Sequence, residues 1–129
     1  SLFARDKVER EFRRLYEDIG LGLTTWSPLA PGLLTGQYLD GVPEGSRGDQ
    51  VGWLREKLTD GASNDRVRRF MGIADDIGCT SAQLAIAWAA SNPDVSTVEQ
   101  VHENMEALAI VDQLTDERRA EIEEIFPLE

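Results

Sequence analysis

The sequence reads as an α/β chain in which parallel strands are joined through helices. Two short β-prone runs, residues 21–26 and 95–98, are separated by a long stretch of helical periodicity, and strands alternating with helices point to a parallel arrangement. A single glycine, Gly20, joins the first helix to the first strand, as in compact αβ units. Two strands alone make no stable parallel sheet in water, because such sheets need several strands and both faces covered. The 129 residues are therefore expected to be part of a larger fold, and a start at Ser1-Leu2-Phe3 without Met points the same way.

Over residues 6–19, Val8, Phe12, Leu15 and Ile19 recur at intervals of four, three and four, which places them on one helical face. Gly20 stands where a C-terminal cap belongs. Residues 21–26 are short, rich in Thr and Trp and bounded by glycine and Pro28, which favours a buried strand. From Ser27 to Arg47 the chain is punctuated by Pro28, Pro31, Gly32, Gly36, Gly41, Pro43 and Gly45, predicting a long irregular loop with a helical turn around Leu33 and Leu34. Loops of this length tend to be functional or mobile.

Residues 49–58 suit a short helix with Val51, Leu54 and Leu58 inward. Asp60-Gly61 reads as a turn, and Ser63 or Asn64 as the cap of a helix carrying Val67, Phe70, Met71 and Ala74 and ended at Gly78. Thr80 and Gln83 form a capping box. The helix it opens, 81–91, has so little polar surface that it expects burial on more than one side. Asn92-Pro93-Asp94 breaks it before the second β-prone run. Residues 99–108 are helical again, and Thr115 caps a last helix with Ile122, Ile125 and Phe126 inward.

Composition narrows the function classes. With 24 acidic and 13 basic side chains the net charge is −11, which argues against a nucleic-acid partner, since phosphate binding needs a basic face. No apolar run approaches the roughly 20 residues of a membrane span, so membrane insertion is not expected. The lone Cys79 has no partner for an internal disulfide and reads as a small packing residue. With no signal-peptide pattern at the N-terminus, a reduced cytoplasmic setting is expected.

The stretch Thr25-Trp26-Ser27-Pro28-Leu29-Ala30, followed by Gly32-Leu33-Leu34-Thr35-Gly36, carries a resemblance. Around it stand Leu2-Phe3 with Arg5, Val8-Glu9, Gly41-Val42-Pro43 and Ser46-Arg47. Further on come Ala82-Gln83-Leu84-Ala85-Ile86-Ala87-Trp88 and Glu99-Gln100-Val101-His102-Glu103-Asn104. In register over essentially the whole chain, these pieces resemble the aldo/keto reductase superfamily, in the branch of the potassium-channel β-subunits and their bacterial relatives.

The resemblance implies a (β/α)8 TIM barrel of roughly 250 residues. Residues 1–129 would be its C-terminal portion, from strand seven to the final helices, helix-rich with about two parallel strands present. Residues 21–26 would be strand seven and 95–98 strand eight, with the loop after Trp26 at the C-terminal rim, where barrel active sites sit.

What the resemblance implies about chemistry is cofactor binding. An NADP cofactor would lie across the rim and pass a hydride to a small-molecule carbonyl substrate. Trp26, Ser27, Pro28, Leu29 and Ala30 match the segment that cradles the pyrophosphate, where backbone amides and a small hydroxyl can line an anion. Arg47 matches a basic residue that pairs with cofactor phosphate through its guanidinium fork. Gln100, Glu103 and Asn104 match the start of the helix that holds the adenine end. A plain Ser-Pro turn, a solvated arginine and an exposed helix face are the respective alternatives.

Two departures stand out. Gln37 occupies the place of a Lys usual near the phosphates. Relatives also insert a Gly-Ala-Ser-Arg-like loop after strand eight, whereas here Val98 is followed directly by Glu99. Either that loop is deleted or residues are missing from the record. The second is favoured because a strand ending on Val98 cannot enter a helix at Glu99 without a turn. A smaller shortfall is expected between Arg47 and Trp53.

The catalytic Asp, Tyr, Lys and His of the resembling family belong to the first half of the barrel, so no catalytic and no metal-binding residue is assigned to this chain. His102 is not the catalytic histidine in this register. Trp53 and Trp88 read as core or interface anchors. The expected function is a share in an NADP-dependent reduction of aldehydes or ketones. A non-catalytic or redox-sensing NADP-binding subunit, like a channel β-subunit, is the alternative. The resemblance further implies a homo-oligomer.

Overall fold

The computed structural model describes residues 1–95 and 110–127. Outside them lie the rest of the second expected strand, the helix expected over 99–108, the Val98–Glu99 junction, and Gln100, His102, Glu103 and Asn104. A wide π-type turn, Lys7–Glu11, precedes α1 (Arg13–Ile19). A 3-10 turn at Leu33–Thr35 interrupts the long loop, and α2 (Arg47–Gln50), α3 (Gly52–Leu58), α4 (Gly61–Ile77), α5 (Ser81–Ala90) and α6 (Asp116–Ile125) follow.

The first helix is not continuous as its periodicity predicts. A regular helix would bond the Phe12 amide to the Val8 carbonyl; instead Phe12 N–H reaches Lys7 O at 2.8 Å. The Val8 carbonyl accepts the Tyr16 hydroxyl at 3.0 Å. A side chain has thus taken the acceptor the helix needed, and the ladder breaks at that point. The expected inward face also divides. Val8 and Phe12 are half-buried, while Leu15 and Ile19 are exposed, Ile19 at 70%. Among the described residues α1 packs chiefly on the Lys7–Glu11 turn, so nothing covers its last turn.

Residues 21–26 carry a single bridge residue, Leu23, and not the buried strand expected. Leu23 pairs in parallel with Val95, and Leu23 N–H donates to Asp94 O at 2.8 Å. This bridge is the only β pairing among the described residues, and its direction is the parallel one expected. Leu21 and Trp26 are exposed and Leu23 half-buried, because a parallel strand is buried only where partners line both edges and helices cover both faces.

The core lies between α4, α5 and α6. Val67, Phe70 and Ala74 of α4 face Leu84, Ala85, Ala87 and Trp88 of α5, and Ile122 and Ile125 of α6 close the third side. α5 is buried on more than one side, as its composition requires. Phe126 meets Phe3 and Phe70 edge-on, with ring centroids 4.9 and 5.8 Å apart, a geometry that sets ring edges against π faces.

The caps largely follow expectation. Thr80 and Gln83 make the reciprocal capping box, and Thr115 accepts from Arg118 N. Gly20 and Gly78 end their helices in left-handed conformation. The cap of α4 is a correction: it is Asp60, whose carboxylate accepts the Ser63 amide at 2.8 Å, and not Ser63 or Asn64. A cap must lie outside the helix with extended backbone, as Asp60 does at φ −60° and ψ 125°. The helix expected over 49–58 is two pieces, parted at Val51, where φ is −121° and ψ 92°. Trp88 is buried as an anchor, but Trp53 is 76% exposed and belongs to no described core.

Candidate functional site

The long loop after Trp26 is irregular yet firmly seated. Leu33, Leu34 and Tyr38 project from it into the core and are almost wholly buried. Turn bonds brace its start: Ala30 N–H donates to Ser27 O at 3.0 Å, and Gly32 and Leu34 N–H both donate to Leu29 O, at 3.0 and 3.2 Å. A loop with no regular ladder is thereby fixed by three apolar anchors and its own backbone.

At the head of the loop the five residues 26–30 form one contiguous turn. Trp26 is 86% exposed, whereas Ser27, Pro28, Leu29 and Ala30 are half-buried. Ser27, Ala30 and Pro31 hold positive φ, 55°, 49° and 27°. The Ala30 amide is engaged, so it offers nothing to an anion. Among the described residues the Trp26, Ser27 and Leu29 amides make no backbone hydrogen bond and the Ser27 hydroxyl has no partner. Pro28 has no N–H and the Ala30 amide is engaged, so the amides of 26–30 open to an anion are those of Trp26, Ser27 and Leu29.

Arg47, the first residue of α2, is exposed and makes no ion pair with a described residue. Asp49, two residues on, is engaged elsewhere: it accepts Gly45 N–H at 3.0 Å and pairs with Arg55 at 3.3 Å. No hydrogen bond joins Arg47 to residues 26–30 among the described residues; the loop alone connects them. Gln37 turns back on the loop, its Nε2 donating to Gly32 O at 3.5 Å.

Tyr38, which sequence reasoning passed over, and Asn64, which it read as a possible cap, hold this segment. The Tyr38 hydroxyl oxygen accepts Gly48 N–H at 3.3 Å, and Asn64 Nδ2 donates to the Tyr38 backbone carbonyl at 3.3 Å. Asn64 is 5% exposed inside α4. An Asn three residues before Val67 on the inward stripe was the available signal, but it reads equally as a cap.

A separate cleft of about 350 Å³ lies between the N-terminal turn and the ends of α5 and α6. The Trp88 ring there has the Arg5 and Arg119 guanidinium carbons 5.4 and 5.7 Å from its centre. Arg5 pairs with Glu9 at 2.7 Å and Arg119 donates to Ser91 Oγ at 3.0 Å. Burial pushes the Glu9 carboxyl above its usual value despite Arg5 beside it. Its cations are already partnered, so this cleft is a packing cluster, and the chemistry expected of the loop lies elsewhere. Burial likewise pushes the Cys79 thiol above its usual value.

Comparison with known proteins identifies the family. Residues 1–126 match the family described as "Aldo/keto reductase family". The chain is 44% identical over 140 residues to a "Probable voltage-gated potassium channel subunit beta" of Arabidopsis thaliana, covering 98% of this chain and 42% of that protein. A protein of the same description from Oryza sativa subsp. japonica is 45% identical over 139 residues, covering 97% and 41%. A "Putative voltage-gated potassium channel subunit beta" of Schizosaccharomyces pombe is 42% identical over 145 residues, covering 100% and 42%. The chain thus spans about two fifths of the length of these relatives. The aligned stretches are longer than its 129 residues, so each relative carries residues here that this chain lacks.

Proposed function

From the premise that this chain belongs to the aldo/keto reductase family, we propose that it is the C-terminal, cofactor-holding part of an NADP-dependent oxidoreductase that reduces aldehydes or ketones. The observation that carries the reading is the turn at 26–30. An exposed tryptophan leads into a turn whose Trp26, Ser27 and Leu29 amides and Ser27 hydroxyl are bonded by no described residue.

The residues present suit the cofactor's charge. Trp26, Ser27 and Leu29 would line the pyrophosphate, with Pro28 and Ala30 shaping the turn. Arg47 would meet a phosphate with two charge-assisted bonds. Gln100, Glu103 and Asn104 would hold the adenine end. When bound, NADPH supplies the hydride. This chain's residues bind and orient; the proton donor is an upstream Tyr assisted by Lys and His. A turn absent between Val98 and Glu99 would carry the choice of NADP over NAD. The whole protein is a cytoplasmic homo-oligomer in this reading, its barrel completed by the first-half strands.

The three relatives are described as voltage-gated potassium channel β-subunits, which favours a second reading, a non-catalytic or redox-sensing NADP-binding subunit resembling one. One experiment separates the two. The complete gene product is titrated with NADPH by fluorescence quenching and then assayed for aldehyde-dependent NADPH oxidation. Binding with turnover supports the enzyme, and binding without turnover the sensing subunit. Absence of saturable NADPH binding overturns both.

A further inference from the structure

We propose that Tyr38 is a positioning residue for cofactor binding, setting the backbone from which Arg47 reaches a phosphate; this rests on the reading of Arg47 given above. Tyr38 is 1% exposed, and a phenol buried that deeply needs a hydrogen-bond partner. Its hydroxyl takes one from Gly48 N–H at 3.3 Å, ten residues along the chain. Its carbonyl takes another from Asn64 Nδ2 at 3.3 Å. The residue is therefore tied at both ends, to α4 behind it and to α2 in front.

Gly48 seats against the ring. A Cβ there would lie 3.0 Å from Tyr38 Cε1 and from Leu58 Cδ1, and 3.3 Å from Val42 Cγ1. The backbone comes this close because residue 48 has no side chain. Arg47 is its immediate neighbour, so the hydroxyl bond and the close approach together set where the guanidinium stem leaves the protein. Asp49, tethered to Gly45 N–H and Arg55, does not compete for it. Holding the backbone beforehand lowers the ordering cost of binding. A tyrosine buried under an irregular loop thus serves the exposed arginine above it.

The test is a double-mutant cycle on the complete gene product, with NADPH as the titrant and thermal midpoints recorded alongside. Tyr38→Phe keeps the ring and removes the bond to Gly48. It is expected to weaken NADPH binding about fivefold to tenfold, the effect of one lost hydrogen bond. Arg47→Gln is expected to weaken it about tenfold or more. The decisive result is the double variant, which should bind no more weakly than Arg47→Gln alone, because Tyr38 acts through Arg47. A purely structural role would leave the two losses additive.

Unchanged affinity in Tyr38→Phe, or additive losses, overturns the proposal while leaving the Arg47 reading intact. Unchanged affinity in Arg47→Gln overturns the Arg47 reading itself and the proposal with it. If Tyr38→Phe does not yield folded protein, Asn64→Ala cuts the tether at the other end of Tyr38. The same cycle with Arg47→Gln then decides on the same criteria.

Discussion

Replacing Gly36 by alanine should loosen the seat of the long loop at a cost that can be apportioned. Gly36 follows the 3-10 turn with φ +81°, and an added Cβ would stand 2.6 Å from Met71 Sδ and 3.2 Å from its Cε. Left-handed backbone costs an L-residue about 1–2 kcal/mol. Overpacking costs about 1–3 kcal/mol, here toward the lower end because a thioether can swing aside. Together these predict a loss of about 2–4 kcal/mol, a large share of a stability of about 5–15 kcal/mol.

Urea unfolding of the wild type, Gly36→Ala, Met71→Ala and the double variant measures it. In the Met71→Ala background the overlap vanishes and only the backbone cost remains, giving a coupling of about 1–2 kcal/mol. A Gly36→Ala loss below about 0.5 kcal/mol would refute the reasoning, since neither term could then operate at this position. Strict additivity with Met71→Ala would refute the overlap alone.

Phe126→Ala, which empties a fully buried site and removes two edge-on ring contacts, should cost about 3–5 kcal/mol by urea unfolding. Ile19→Lys in the 129-residue chain should change stability by no more than about 0.5 kcal/mol, as expected of an exposed position; a loss of several kcal/mol would place Ile19 in a core. The Ser63 amide and hydroxyl hold the Asp60 carboxyl below its usual value. Its capping contribution is therefore complete above the ordinary carboxylate range and fades as pH falls through the lowered folded value. Asp60→Asn, a cap that does not titrate, should flatten that part of the acid dependence, read from thermal midpoints between neutrality and about pH 3. Equal slopes in the two proteins would remove Asp60 from the account.

Local features were the most legible in the sequence. The Thr80/Gln83 box, the Thr115 cap and the stops at Gly20 and Gly78 depend on residues within a turn of one another, and they stand as read. The α4 cap was misjudged because Asp60-Gly61 looks like a turn until the Ser63 amide shows where its carboxylate points. The first helix was misjudged because nothing in its spacing reveals that Tyr16 takes the Val8 carbonyl. Within the candidate site, residues 26–30 and Arg47 were marked by motif. Motif gave no sign of the Ala30 amide being engaged, nor of Tyr38 and Asn64 standing beneath Arg47.

The sequence by itself determined the family motifs, the helix caps at Thr80 and Thr115 and the helix stops at Gly20 and Gly78. Each rests on pattern or composition, which a linear string carries whole. Only the tertiary structure decided which apolar residues are covered. Leu15, Ile19 and Trp26 are exposed while the loop residues Leu34 and Tyr38 are buried, because burial depends on what packs opposite a residue and not on its own character. It also decided that an irregular loop is held by a tyrosine hydroxyl at one point and an asparagine amide at another. Hydrogen bonds spanning ten and twenty-six positions leave no periodic trace, and the fold alone brings their ends together.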